Sequence, residues 1–166
     1  KQVLGRVLNG AQEPSTAQAP VAIPHPATDR IKLLMAEDNR TNQLVVTRML
    51  KDAGFDITIA VNGAEAVECY RNTLPDIILM DMMMPDMDGV EATLKIRELE
   101  FKTQQRNCPI IALTANALES HREKCLAAGM DDFISKPIKK KALIRAINKW
   151  IYSPDERKTG TLAHRS

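Results

Sequence analysis

Ile77-Ile78-Leu79-Met80-Asp81 is a run of four apolar residues, two of them β-branched, closed by a single carboxylate. Two other runs end in charge. Ile31-Lys32-Leu33-Leu34-Met35-Ala36 leads into Glu37-Asp38, and Phe133-Ile134-Ser135 leads into Lys136. Runs of this length and content, with helical patterns between them, read as buried strands of a parallel sheet. In such a sheet ligands bind at the carboxyl ends of the strands. Three acids and a lysine are therefore expected to converge there, a cluster suited to a metal and a phosphoryl group. Asp81 is its expected centre.

Working outward, the first strand (31–36) passes through Glu37-Asp38-Asn39 into a helix of about 41–53. Val45, Val46, Met49, Leu50 and Ala53 give that helix one apolar face, and Gly54 is placed to stop it. A strand at 56–60 precedes a helix from Gly63 to about Asn72, and Pro75 opens the strand at 76–80. The loop after Asp81 carries Pro85 and Asp88-Gly89, and a helix follows over about 90–100. A strand at 109–113, a helix at 117–128 ended by Gly129, a strand at 132–135 and a helix at 138–151 complete the pattern. The last helix has Leu143, Ile147 and Trp150 on its inner face. Repeated β-then-α units predict an α/β fold, a doubly wound parallel sheet covered on both faces. Right-handed crossovers leave few arrangements. The flavodoxin-like (βα)5 order 2-1-3-4-5 is favoured, with its switch point between strands one and three, where Asp38 and Asp81 face each other.

The flanks read differently. Pro14, Pro20, Pro24 and Pro26 lie among Ala, Gln, Ser and Thr, so residues 9–28 read as an extended linker. Val3, Leu4, Val7 and Leu8 have helical spacing over too few turns for a stable helix. Residues 1–28 are thus expected to be a linker or the remnant of an upstream domain, 29–152 the folded domain, and 153–166 a flexible tail. The chain starts at Lys1 instead of methionine and reads as part of a longer product.

The net charge is +2, yet Asp29 to Tyr152 holds as many acidic as basic residues, so the surplus sits in the flanks. One Trp, two Tyr and three Phe give no aromatic-laced basic stripe, which argues against nucleic acid. Lys139-Lys140-Lys141 reads as a solvated helix start. Cys69, Cys108 and Cys125 lack metal-ligand spacing and fit reduced thiols in a cytoplasmic protein. No apolar stretch approaches the roughly 18 residues of a membrane span, so no membrane contact by this segment is expected.

The chemistry follows from charge. Two carboxylates about 4 Å apart repel by roughly 4 kcal/mol at an effective dielectric of about 20. Glu37, Asp38 and Asp81 together therefore call for a hard divalent cation, and an all-oxygen site with few protein ligands suits Mg2+. Read singly, strand-end acids also serve as helix caps. Asp81 can attack a phosphoryl group and split one transfer into two, helped by positioning and charge neutralisation. Lys136 would bring a second cation, and Thr114 a hydroxyl for a phosphoryl oxygen. The bland alternatives are a surface lysine and a helix cap. Pro137 keeps Lys136 out of the α region, and a cis bond there would turn the chain sharply.

With these residues assembled, the chain resembles the receiver domain of two-component response regulators over about residues 30–152. The carrying segments are Leu34-Met35-Ala36-Glu37-Asp38-Asn39, Met80-Asp81-Met82-Met83-Met84-Pro85-Asp86-Met87-Asp88-Gly89, Ile111-Ala112-Leu113-Thr114-Ala115 and Ser135-Lys136-Pro137. The resemblance implies that Asp81 is the phosphoacceptor and that Asp38 and Asp81 ligate Mg2+. Glu37 would help through the metal shell, and the backbone carbonyl of Met83 would supply a further oxygen. Thr114 and Lys136 would contact the phosphoryl oxygens, and Thr114 and Phe133 would form the switch pair. Met83 and Asn116 match positions that influence phosphate lifetime.

The stretches starting at Glu37, Ala112 and Cys125 look like receivers fused to hybrid histidine kinases. That implies a phosphorelay receiver whose partners are a histidine kinase dimerisation domain, a histidine phosphotransfer protein, or both. The alternative is a receiver-like interaction module that is never phosphorylated. A phosphatase of the haloacid dehalogenase type resembles the site in chemistry, but wants an aspartate where Met83 stands. A flavin-binding electron carrier shares the fold expectation, but Glu37-Asp38 repels a phosphate without metal.

Overall fold

The inner strands of the parallel sheet, Ile77–Asp81 and Ile110–Thr114, are buried along their whole length because helices cover both faces. The computed structural model describes residues 30–116 and 118–152. The expected segments 1–28 and 153–166 lie outside the described residues. The elements alternate: β1 (Ile31–Ala36), α1 (Arg40–Leu50), β2 (Phe55–Ala60), α2 (Gly63–Thr73), β3 (Ile77–Asp81), α3 (Gly89–Thr103), β4 (Ile110–Thr114), α4 (Glu119–Ala127), β5 (Asp132–Ser135) and α5 (Lys140–Tyr152). The strand order is β2-β1-β3-β4-β5, all parallel, as expected.

The period-two side-chain alternation splits the core. Leu33 and Met35 of β1, Ile77 and Leu79 of β3, and Ile111 and Leu113 of β4 meet Val46 and Leu50 of α1 and Leu143 and Ile147 of α5. Their neighbours Leu34, Ala36, Ile78, Met80, Ile110 and Ala112 meet Ala66 and Tyr70 of α2, Ala92 and Ile96 of α3, and Cys125 of α4. Full burial of a Leu or Ile contributes about 1.5–3 kcal/mol. The two layers thus hold the strand ends in fixed register.

Side-chain caps set where the first three helices begin. Asn39 accepts from the amides of Thr41 and Asn42, Asn62 from Glu65, and Asp88 from Glu91. Glu65 also reaches back to the amide of Val61 at 2.9 Å, in the manner of a capping box. Helix α4 has no such cap, and Cys125 is its one buried residue, so it is the least anchored of the five.

Several boundaries move from the sequence reading. Helix α1 stops at Leu50, short of Ala53, and α3 runs on to Thr103. Val45 is 41% exposed and Ala53 is exposed as well, so the inner face of α1 is narrower than its apolar content. Asp81 is the last residue of β3 and Thr114 the last of β4, each one place inside the strand instead of beyond it. All three cysteines are free, as expected.

Candidate functional site

Register brings the site together. Ala36 pairs with Met80 and Leu113 with Asp81, so Glu37 and Asp38 leave β1 beside the end of β3. Thr114 pairs with Ser135, which sets Lys136 at the same edge. The amide of Lys136 donates to the Thr114 carbonyl at 2.7 Å, and the Lys136-Pro137 bond is cis.

Glu37, Asp38 and Asp81 each bring a carboxylate oxygen within 4.8 Å of the others. Glu37 and Asp81 are buried and Asp38 is exposed. The Lys136 ammonium bridges the buried pair, 2.9 Å from Glu37 Oε2 and 3.0 Å from Asp81 Oδ2. Asp81 Oδ1 accepts from the Met83 amide at 3.2 Å.

Burial pushes the Asp81 carboxyl above its usual range. The Lys136 hydrogen bond opposes this, while the Glu37 charge adds to it. For Lys136, burial works against the ammonium, but its hydrogen bonds to Glu37 and Asp81 outweigh that and raise its pKa. One ammonium against three carboxylates leaves excess negative charge, with hard oxygen donors alone facing it. That donor set fits Mg2+.

The loop that follows Asp81 is held by close backbone approach. A Cβ on Gly89 would lie 2.2 Å from the Asp81 carbonyl oxygen, and one on Gly63 would lie 2.4 Å from that of Met87. Glycine is required at both places by space. The Gly89 amide donates to Met82 O at 3.3 Å, and that of Met82 to Leu113 O at 3.1 Å.

The two expected switch residues are both present and differently placed. Thr114 is buried, with its hydroxyl turned into its own loop. It donates to the Asn116 carbonyl at 2.9 Å and accepts from the Asn116 amide at 3.1 Å. Phe133 is half-buried against the core, with the Arg122 guanidinium 5.6 Å from its ring centroid.

Sequence reasoning missed Asn39, Asn42 and Gln43 as parts of the site. Asn42 Nδ2 donates to Glu37 Oε1 at 2.9 Å, the Asn39 amide to the same oxygen at 3.3 Å, and Gln43 Nε2 to the Glu37 carbonyl at 2.6 Å. Their only sequence signal is three amide side chains within the six residues after Glu37.

The chain is similar to known proteins in sequence and fold. The sequence pattern of the response regulator receiver domain matches residues 33–148. The chain belongs to the response regulator receiver family. This receiver is 47% identical over 116 residues to hybrid signal transduction histidine kinase B of Dictyostelium discoideum, covering 65% of the chain and 6% of that protein. It is 38% identical over 119 residues to sensor protein GacS of Pseudomonas syringae pv. syringae, covering 72% and 13%. The receiver thus spans a small fraction of the curated relatives it matches.

Among solved structures, the receiver domain of sensor histidine kinase PA1611 from Pseudomonas aeruginosa is 42% identical with a TM-score of 0.66. The match covers 75% of this chain and all of that one, which carries a magnesium ion coordinated in its active site cleft. The receiver domain of Ssk1 from Saccharomyces cerevisiae, in complex with the histidine phosphotransfer protein Ypd1, is 31% identical with a TM-score of 0.70. Coverage there is 73% of this chain and 88% of that one.

Proposed function

We propose that this receiver takes a phosphoryl group from a phosphohistidine onto Asp81, as one station of a hybrid-kinase phosphorelay. The observation that carries it is a buried aspartate flanked by two further acids and a bridging lysine at the carboxyl edge of the sheet. An Asp81 carboxylate oxygen forms the new P–O bond while the P–N bond to the donor imidazole breaks. The electron pair returns to the imidazole nitrogen.

Asp38, Asp81 and the Met83 backbone carbonyl would hold Mg2+, with Glu37 completing the surroundings. When bound, the ion neutralises charge between the phosphoryl oxygens and the carboxylates. Lys136 binds a phosphoryl oxygen from the other side. Thr114 leaves its bonds to Asn116 and donates to another phosphoryl oxygen, and Phe133 follows inward. Phosphorylation shifts the population only because the phosphoryl group binds that second state better.

The partner is a histidine-bearing helical domain, either a kinase dimerisation domain or a phosphotransfer protein. Leu44 and Val45 are exposed on α1, the helix that follows Glu37-Asp38, and Met83 beside Asp81 is 76% exposed. Together they offer apolar surface around the site. No described helix is long and apolar enough to cross a membrane. A cytoplasmic location accords with the free thiols.

Intact mass after incubation with Mg2+ and acetyl phosphate tests the reading. A labile phosphoryl adduct is expected on the wild type and absent from Asp81→Asn. A folded, Mg2+-bound wild type that takes no phosphate from acetyl phosphate or from a phosphorylated histidine domain makes this an interaction module instead.

A further inference from the structure

Glu37 is the most enclosed carboxylate of the site, 1% exposed, and both of its oxygens are claimed by donors within the chain. Oε2 accepts from Lys136. Oε1 accepts from the side-chain amide of Asn42 and, at longer range, from the Asn39 backbone. A carboxylate only accepts, so the Asn42 group that faces it has to be the NH2.

The donor is itself fixed. Asn42 lies in the first turn of α1, and its backbone amide donates to Asn39 Oδ1 at 3.3 Å, within the cap that starts the helix. Gln43, the next residue, holds the Glu37 main-chain carbonyl from the same turn. Side chain and backbone of Glu37 are thus tied to one rigid helix start. Asparagine suits the place because it gives a neutral N–H. A lysine would add a second ammonium where the divalent cation is needed, and an aspartate would add a fourth carboxylate.

We propose that Asn42 is a positioning residue for the phosphoryl-transfer site. It orients the Glu37 carboxylate so that one oxygen meets Lys136 and the acidic group keeps the spacing that holds Mg2+. This rests on the reading of Asp81 as a Mg2+-dependent phosphoacceptor. Asn42 is not one of the acids that would face the metal, and it acts through Glu37. Partners that orient metal-site ligands in this way typically change metal affinity by about 10–100-fold when removed.

The experiment is calorimetric titration of the folded chain with Mg2+ alone, without a phosphodonor, alongside thermal midpoints in EDTA. Asn42→Ala is expected to weaken Mg2+ binding by roughly tenfold with the EDTA midpoint unchanged, since the helix cap belongs to Asn39 and alanine favours the helix. In a Glu37→Gln background the same substitution is expected to lose most of that effect, because coupled residues are not additive.

Binding within about twofold of wild type overturns the inference, as does a full loss that persists in Glu37→Gln. A fall in the EDTA midpoint that accounts for the weaker binding makes the role structural and also overturns it. All three leave Asp81 as the phosphoacceptor standing. A wild type that binds no Mg2+ removes the underlying reading, and the inference with it.

Discussion

Lys136 Nζ stands 3.0 Å from Asp81 Oδ2, placed there by the pairing of Thr114 with Ser135 at the end of β5. The same ammonium contacts Glu37, so it is shared by two buried carboxylates. Lys136→Ala leaves those carboxylates facing each other, and removes the cation proposed to bind the phosphoryl oxygens. Phosphorylation by acetyl phosphate is expected to slow by about a hundredfold or more. Intact mass against time measures it, and a rate near wild type would remove Lys136 from the chemistry.

On the proposed role of Asp81, the residues flanking it govern how long a phosphoryl group stays. The Met83 side chain is exposed beside Asp81 and has no group able to orient an attacking water. Met83→Asn supplies one hydrogen-bonding amide, worth roughly 1 kcal/mol or about fivefold in rate. Faster loss of phosphate is therefore expected in the variant. Radiolabel decay decides it, and slower loss reverses the assignment.

Space makes Gly89 a sensitive point. Because a Cβ there meets the Asp81 carbonyl, Gly89→Ala must push β3 and the start of α3 apart. Overpacking of this kind costs about 1–3 kcal/mol. Displacing a reacting group by about 1 Å can cost about a hundredfold in rate. Urea midpoints and phosphorylation rates are both expected to fall; an unchanged rate would show that the strain is absorbed away from Asp81.

At the opposite edge of the sheet, Glu100 is buried and accepts from Tyr70 Oη, Arg97 Nη1 and the Cys108 amide. Burial and then the Glu100 charge push both the Tyr70 phenol and the Cys108 thiol upward. These groups keep their protons when folded at pH values where the unfolded chain releases them. Their contribution to stability is therefore complete below about pH 8 and lost as pH rises past their ordinary values of about 8.5 and 10. Urea midpoints at about pH 8 and pH 10.5 are expected to show the drop, and Tyr70→Phe is expected to lessen it. An equally steep drop in the variant would place the loss on other groups.

The sequence by itself determined the architecture and the acids and lysine that gather at the carboxyl edge of the sheet. Apolar runs with a period-two core on both faces admit only a covered parallel sheet. Acids and a lysine at the ends of such runs have to meet at its carboxyl edge. Asp81, Glu37, Asp38 and Lys136 were legible for that reason, since backbone register alone brings them together. The tertiary structure decided what depends on side-chain direction. Apolar content could not say that α1 turns Val46 and Leu50 inward and leaves Val45 in solvent, because the helix's rotation is set by β2 and α5 packing against it. Nor could residue type say that the Thr114 hydroxyl is held by Asn116, or that Arg97 ties α3 to Gly129 and Asp131. The Arg97 bonds join atoms whose meeting depends on distances between packed elements, and the Thr114 bond on the turn its loop takes after β4. Asn42 belongs with them: its position on α1 was written in the chain, but its bond to Glu37 exists only once α1 is docked at the end of β1.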